Sequence, residues 1–191
     1  PLIAGQTELL RSALRQLANV GDLESLLHYQ PHAGKSAHRA ALAAHLRTRG
    51  LQIDASQLLF VDGAQHGLTV TAMALLKPGD VVAVDALTYP GFKLLAESLR
   101  LELLPIPASG NGPDLKALEA LCTRRKVRAF YAMPTMHNPL GWVMSLTRRN
   151  KLIAIARKHG VTIIEDAAYA FLADDPPPPL AALAPEITVY V

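Results

Sequence analysis

Residues 81–107 read VVAVDALTYPGFKLLAESLRLELLPIP, and this stretch decides the fold class. Two short apolar runs, 81–86 and 101–107, flank a segment from Pro90 to Leu99 whose apolar residues recur at helical spacing. A strand, a helix and a second strand in this order form the unit from which parallel sheets are built. Both strand-like runs are continuously apolar rather than alternating, which is typical of strands covered on both faces.

The rest of the chain continues this alternation of helices and strands. Further strands are predicted at 58–63, 127–134, 161–168 and 187–191. Further helices are predicted at 7–19, 36–49, 65–76, 115–124 and 147–159, with Asp114 and Thr147 as N-caps and Gly160 at a helix end. The pattern predicts an α/β fold, a three-layer α/β/α sandwich around a mostly parallel sheet. We expect residues 1–50 to form a helical segment that leads into a larger domain over 51–191.

The composition excludes several classes of protein. Of the 191 residues, 50% are hydrophobic and 18% are charged, so the chain can form an apolar core and is not a disordered polyelectrolyte. Its apolar runs are much shorter than the ~20 residues that cross a bilayer, and a net charge of +3 is too small to indicate a nucleic-acid surface. The single cysteine, Cys122, and the absence of a signal-peptide pattern predict a cytoplasmic protein.

Two common kinds of active site are also disfavoured. Four histidines, His28, His32, His38 and His45, lie close together in sequence, but no Cys, Asp or Glu joins them at ligand spacing. We therefore expect no metal site. The chain also has no G-x-S-x-G nucleophile elbow, which argues against a serine hydrolase.

Ligands of parallel α/β sheets bind at the carboxyl ends of the strands, so the residues there are the candidates for function. Gly63, Ala64 and Gln65 follow the strand predicted at 58–63 and open a helix. Small residues at a helix start let backbone N–H groups approach a phosphate, although a tight turn alone would also explain them. Tyr89 is held in extended backbone by the proline after it, and its ring can stack on a planar ligand or fill the core.

Three further candidates follow the later strands. Asn138, in the turn HNPLG (137–141), can donate its amide to a ligand oxygen or satisfy its own backbone. Asp166 follows an apolar run, where a carboxylate needs a cationic partner such as Lys, Arg, a metal ion or a protonated ring nitrogen. Tyr169 comes three residues later and can reach the same ligand as Asp166.

The order of these motifs resembles the fold-type I pyridoxal-phosphate-dependent aminotransferases of class I/II. The resemblance covers nearly the whole chain and includes YQPHAG (29–34), which is similar to the tyrosine–glycine segment ahead of the family's large domain. It implies pyridoxal 5′-phosphate as cofactor, with its phosphate held by Gly63, Ala64 and Gln65.

The resemblance assigns roles to the remaining candidates as well. Tyr89 would stack on the pyridine ring, and Asn138 and Tyr169 would hydrogen-bond the 3′-oxygen of the ring. Asp166 would hold the ring nitrogen in its protonated form, which makes the cofactor a better electron sink. Tyr29 would reach the phosphate of a neighbouring subunit in a homodimer.

The chain departs from the family pattern in several places. The Schiff-base lysine follows the sixth strand in the family, which places it beyond Val191, and the family's substrate-binding arginine and small domain are expected there too. We therefore expect no catalytic residue in this chain and no transamination by the chain alone. Leu140 and Ala167 stand where the family commonly has Thr and often has Asp, respectively.

Two classes of parent protein remain open, besides a scaffold that binds no cofactor. One is an aminotransferase that moves an amino group between an amino acid and a 2-oxo acid. The other is the cofactor- or effector-sensing part of a MocR-type regulator of the GntR family, whose DNA-binding domain is a separate unit. The segments HYQPHAGKSAHRAALAAHL (28–46) and VDGAQHGL (61–68) resemble the sequences of the regulators at least as much as those of the enzymes. They therefore favour a regulator as the parent protein.

Overall fold

The computed structural model describes residues 4–191, apart from the side chain of Leu26, so residues 1–3 of the predicted N-terminal segment lie outside it. Its strands are β1 Val81–Asp85, β2 Glu102–Ile106, β3 Val127–Ala132, β4 Thr162–Glu165 and β5 Thr188–Tyr190. Its α-helices are α1 Gln6–Val20, α2 Ser36–Thr48, α3 Ala64–Leu75, α4 Pro90–Ser98, α5 Leu115–Arg124, α6 Leu146–His159 and α7 Leu180–Leu183. Short 3₁₀ turns occupy Glu24–Leu27, Ala55–Gln57 and Ala170–Leu172. Among the described residues, no helix combines the length and the apolar character needed to cross a membrane.

The five strands form one sheet in the order β2-β1-β3-β4-β5, and every neighbouring pair is parallel. Successive side chains of a strand point to opposite faces, and the core divides accordingly. Val82 and Val84 pack towards α3 and α4 on one face. Val81 and Ala83 pack towards α5, α6 and α7 on the other. The predicted three-layer α/β/α fold is therefore confirmed.

The strand order reverses direction once. The chain passes from β1 to β2 at one edge of the sheet and then returns across β1 to β3 on its other side. The carboxyl ends of β1 and β3 therefore flank the point where the crossover connections diverge, and open α/β sheets bind their ligands in that crevice.

The predicted strand at 58–63 is wrong. Residues 58–61 lie in no helix or strand, and the Leu59 and Phe60 side chains are 47% and 42% exposed. Instead, the Phe60 N–H donates to the carbonyl of Ala33. The Phe60 ring lies against Gly34, where an added Cβ would be 2.9 Å from the Cβ of Phe60. The apolar run therefore packs on the turn of the tyrosine–glycine segment.

The predicted N-cap at Thr147 is also wrong, because α6 begins earlier and Ser145 precedes it. The Ser145 hydroxyl accepts a hydrogen bond from the Arg148 N–H and caps the helix. Asp114 caps α5 as predicted by accepting from two backbone N–H groups, and Gly160 ends α6 in the left-handed conformation with φ 65°.

Helix α3 approaches the end of β5 closely at Gly67. A Cβ at this position would lie 2.8 Å from Cγ1 of Val191 and 3.4 Å from Cγ2 of Val61. Both neighbours are β-branched side chains with few alternative rotamers. The absence of a side chain at Gly67 therefore sets how near the start of α3 lies to the carboxyl edge of the sheet.

We predict that Gly67→Ala destabilises the chain by about 1–3 kcal/mol, because the new methyl group overlaps Val191. A helical glycine without such a contact gains about 1 kcal/mol on replacement by alanine, so the expected sign is opposite to helix propensity. Urea unfolding measures the change, and Ala74→Gly at an exposed position of the same helix calibrates the propensity. A stabilised Gly67→Ala variant would contradict the close packing.

Candidate functional site

The carboxyl ends of β3, β4 and β5 are joined by backbone hydrogen bonds. The Asp166 N–H donates to the Ala132 carbonyl at 2.9 Å, and the Val191 N–H donates to the Glu165 carbonyl at 2.9 Å. Ala167 in turn donates to the carbonyl of Val191 at 2.8 Å. These bonds fix the residues just beyond β4, including Asp166, in the plane of the sheet.

The start of α3 presents backbone N–H groups beside this edge. Gly63 precedes the helix with φ 85°, a conformation that favours glycine, and nothing described lies within 4 Å of the place where its Cβ would be. The first N–H groups of a helix have no partner within the helix, so Ala64 and Gln65 offer donors to an anion. The Gln65 side chain donates to the Gly91 carbonyl at 3.4 Å and links this turn to the start of α4.

Tyr89 lies two residues before Gly91, at the start of α4. It is half-buried, it precedes α4 with Pro90 in the first helical position, and its ring lies against Gly91. A Cβ at Gly91 would overlap that ring. Glycine at position 91 therefore provides the space that the Tyr89 ring occupies.

Asp166 is a buried carboxylate that accepts two hydrogen bonds. It is only 5% exposed. The Tyr131 hydroxyl donates to Oδ2 at 2.6 Å, and the Ala168 N–H donates to Oδ1 at 3.0 Å. Burial, followed by the charge of Asp166, raises the pKa of Tyr131 far above its usual range, and Tyr89 and Asp85 contribute in the same direction. The side chains of Asp166, Tyr89 and Asp85, at the ends of β1 and β4, therefore all lie near enough to Tyr131 on β3 to influence its pKa.

The turn that carries Asn138 is anchored across the point where the strand order reverses. His137 is 2% exposed, and its Nε2 lies 3.4 Å from Oδ2 of Asp85, itself 4% exposed. The Leu140 N–H donates to Nδ1 of the same imidazole at 3.3 Å. Trp142 packs on the imidazole with a centroid distance of 4.2 Å. Asn138, half-buried, follows directly, so this anchor sets its position at the end of β3.

The two remaining candidates are exposed. Tyr169 follows β4 near Asp166 and has 47% of its surface in contact with solvent. Tyr29 is fully exposed. Its predicted role concerns a neighbouring subunit, which a single chain does not test.

Next to the candidate site lies a buried ion pair that sequence reasoning missed. Glu165 is 1% exposed and accepts hydrogen bonds from the backbone N–H groups of Leu180 and Ala181. Arg149 is fully buried, lies 3.9 Å from Glu165 and donates to the carbonyls of Met144 and Pro134. Burial raises the pKa of Glu165 to about 7, against the opposing effects of its N–H donors and of Arg149. The pair joins β4 to α6 and α7.

Tyr131 and the Asp85–His137 pair were also missed. Tyr131 lies inside a run that reads as apolar strand core, and only its hydroxyl, which needs a partner when buried, distinguishes it there. Asp85 ends an apolar strand in the same way as Asp166, so the reasoning that selected Asp166 applies to it equally.

The arrangement fits a phosphorylated, planar, cationic ligand. The open space at Gly63 and the N–H groups at the start of α3 suit a phosphate, the Tyr89 ring suits a flat ring system, and buried Asp166 suits a protonated nitrogen. Within residues 4–191, no group of three or more His, Cys, Asp and Glu side chains could hold a metal ion.

Comparison with known proteins assigns the family. A family model, aminotransferase class I and II, matches residues 1–191, and the chain belongs to this family. The uncharacterized HTH-type transcriptional regulator YdeF of Bacillus subtilis (strain 168) is 32% identical over 185 residues, which cover 96% of this chain and 40% of the relative. The uncharacterized aminotransferase SSO0104 of Saccharolobus solfataricus is 35% identical over 167 residues, which cover 83% of this chain and 42% of the relative.

The solved structures agree with this family. LysN, an α-aminoadipate aminotransferase from Thermus thermophilus complexed with N-(5′-phosphopyridoxyl)-L-leucine, superposes with a TM-score of 0.84 at 28% identity. The match covers 97% of this chain and 47% of LysN. Pyridoxal 5′-phosphate is the cofactor of this family, in agreement with the cofactor predicted from the motifs. The chain spans about two fifths of the length of the curated relatives that it matches.

We predict that Glu165 makes the free energy of unfolding depend on pH. Its pKa in the folded chain, about 7, lies above its ordinary value of 4.5, so the folded state retains a proton that the unfolded state has lost between these pH values. Its contribution to the free energy of unfolding is fully present below about pH 4.5 and is lost as the pH rises through about 7.

Urea unfolding between about pH 4 and pH 8 measures this dependence. Glu165→Gln removes the titrating group, and we expect its profile to fall less steeply with rising pH than that of the unchanged chain. The difference between the two profiles isolates Glu165 from the other carboxylates. Parallel profiles would contradict the prediction.

Proposed function

We propose that this chain is a pyridoxal-phosphate-binding, aminotransferase-like domain, with its cofactor site at the carboxyl edge of the sheet. The single observation that carries the proposal is Asp166, a buried carboxylate at the end of β4 that is already supplied with two donors. Both donors, a hydroxyl and a backbone N–H, are neutral, so a cationic ligand would supply the opposite charge that a buried carboxylate favours.

Different residues of the chain would contact different parts of the cofactor. The start of α3, from Gly63 to Gln65, would hold the phosphate. The N–H groups of Ala64 and Gln65 would be the donors, because that of Gly63 already donates to the Val61 carbonyl. Tyr89 would cover one face of the ring, and Asn138 and Tyr169 would donate to its 3′-oxygen. Asp166 would keep the ring nitrogen protonated. When bound, the cofactor supplies an electron sink for the α-carbon of an amino acid.

We further propose that the parent protein is a homodimeric regulator of the MocR type, which binds DNA through a separate domain and an amino acid or related effector through this one. The identity to YdeF across 96% of this chain supports that proposal. The fully exposed Tyr29, and helix α1 with no buried residue, support a neighbouring subunit that covers this segment. The alternative is a stand-alone aminotransferase, favoured by the identity to SSO0104.

We predict that Asp166→Asn weakens the binding of pyridoxal 5′-phosphate about tenfold or more. A nearby carboxylate favours a protonated partner by about 1.4 kcal/mol or more, and the amide loses that charge. The chain contains one tryptophan, Trp142, next to the Asn138 turn, so its fluorescence reports a titration with the cofactor. Asp174→Asn, at an exposed position with the same change of charge, serves as the matched control. Equal affinities of all three proteins would contradict the role of Asp166.

The full gene product distinguishes the two parent proteins. For a regulator, we expect a basic helix–turn–helix region ahead of residue 1 and a DNA complex whose mobility in a gel changes when pyridoxal phosphate or an amino acid is added. For a stand-alone enzyme, we expect 2-oxo-acid-dependent consumption of an amino acid and no such region. A start codon just ahead of residue 1 would contradict the regulator.

A further inference from the structure

We propose that Tyr131 is a positioning residue for the cofactor, which acts by holding the Asp166 carboxylate in one orientation. This inference rests on the proposed function and extends it to a residue on the neighbouring strand β3. Tyr131 would not touch the cofactor nitrogen itself. It would determine how the carboxylate faces that nitrogen.

The packing of its ring positions the Tyr131 hydroxyl independently of Asp166. Its side chain is fully buried, and its ring stacks on that of Phe92, also fully buried, with a centroid distance of 3.9 Å and an interplanar angle of 4°. Such packing leaves the tyrosine ring one position. The 2.6 Å contact between the hydroxyl and Oδ2 of Asp166 is short, as expected for a donor to a charged acceptor.

The two donors to Asp166 act on different oxygens. Tyr131 binds Oδ2 and the Ala168 N–H binds Oδ1, so rotation of the carboxylate about its last bond would break both contacts. Each carboxylate oxygen can accept about two hydrogen bonds, so lone pairs remain for a third donor. A protonated ring nitrogen would therefore meet an acceptor that needs no reorientation.

The direction of the hydrogen bond is also determined. Because burial and the charge of Asp166 raise the pKa of Tyr131 far above its usual range, its hydroxyl keeps its proton and donates to the carboxylate. Packing alone does not explain a tyrosine here. Phenylalanine would stack on Phe92 equally well, and a buried hydroxyl costs free energy unless it has a partner.

The test uses Tyr131→Phe, which removes the hydroxyl and keeps the stacked ring. We expect pyridoxal 5′-phosphate to bind this variant about tenfold more weakly than the unchanged chain, as measured by Trp142 fluorescence. A second ligand, the analogue in which the ring nitrogen is replaced by C–H, cannot pair with Asp166. We expect the two proteins to bind this analogue with equal affinity.

Three further variants separate positioning from a general structural role. Tyr190→Phe is the matched control, because it removes a half-buried tyrosine hydroxyl on β5, whereas the described donors to Asp166 are Tyr131 and Ala168. We expect it to bind the cofactor like the unchanged chain. In an Asp166→Ala background, Tyr131→Phe should have no further effect on affinity, since the hydroxyl acts only through the carboxylate.

The outcomes are distinguishable. If the unchanged chain binds no pyridoxal phosphate, the proposed function fails and this inference fails with it. If the unchanged chain binds and Tyr131→Phe binds equally well, only this inference is overturned. It is also overturned if the loss of affinity is the same for the carbon analogue or persists in the Asp166→Ala background, because Tyr131 would then act through general packing.

Discussion

Two adjacent buried carboxylates at the end of β4 control the carboxyl edge of this sheet. Consecutive residues of a strand face opposite sides, so Glu165 points to the layer of α6 and α7 while Asp166 points to the layer of α3 and α4. Glu165 is satisfied within the fold, by Arg149 and by two N–H groups at the start of α7. The two donors to Asp166 are neutral. One carboxylate thus holds the layers together, and the other is available to a cationic ligand.

The remaining elements place complementary groups around that carboxylate. Because Gly67 has no side chain, the start of α3 can lie close to the end of β5. The Gln65 side chain connects the start of α3 to the segment that carries Tyr89 and Gly91. The Asp85–His137 contact spans the reversal of strand order and anchors the turn that carries Asn138. A cofactor bound as we propose would have its phosphate, one ring face and its ring nitrogen contacted by three different loops of this edge.

Most of the fold was predictable from the sequence, because buried parallel strands are continuous apolar runs and the caps at Asp114 and Gly160 are local signals. The run at 58–63 has the same composition but joins no sheet, since whether an apolar run finds a strand partner or packs on a turn is decided by tertiary contacts. The candidate residues were chosen by their place after predicted strands and by resemblance. Tyr131 could not be chosen in this way, because its hydroxyl acquires a partner only when β3 and β4 are paired.

We propose that the cofactor binds at the carboxyl edge between α3, β1, β3 and β4. The most direct test is a titration of the isotope-labelled chain with pyridoxal 5′-phosphate, followed through the backbone amide signals in nuclear magnetic resonance spectra. We expect the signals of Gly63–Gln65, Tyr89, Gly91, Asn138 and Asp166–Tyr169 to shift together. The signals at the opposite edge, such as those of Lys77, Gly79 and Asp80, should stay unchanged. Shifts confined to residues near surface lysines, with none at the carboxyl edge, would contradict this placement of the cofactor.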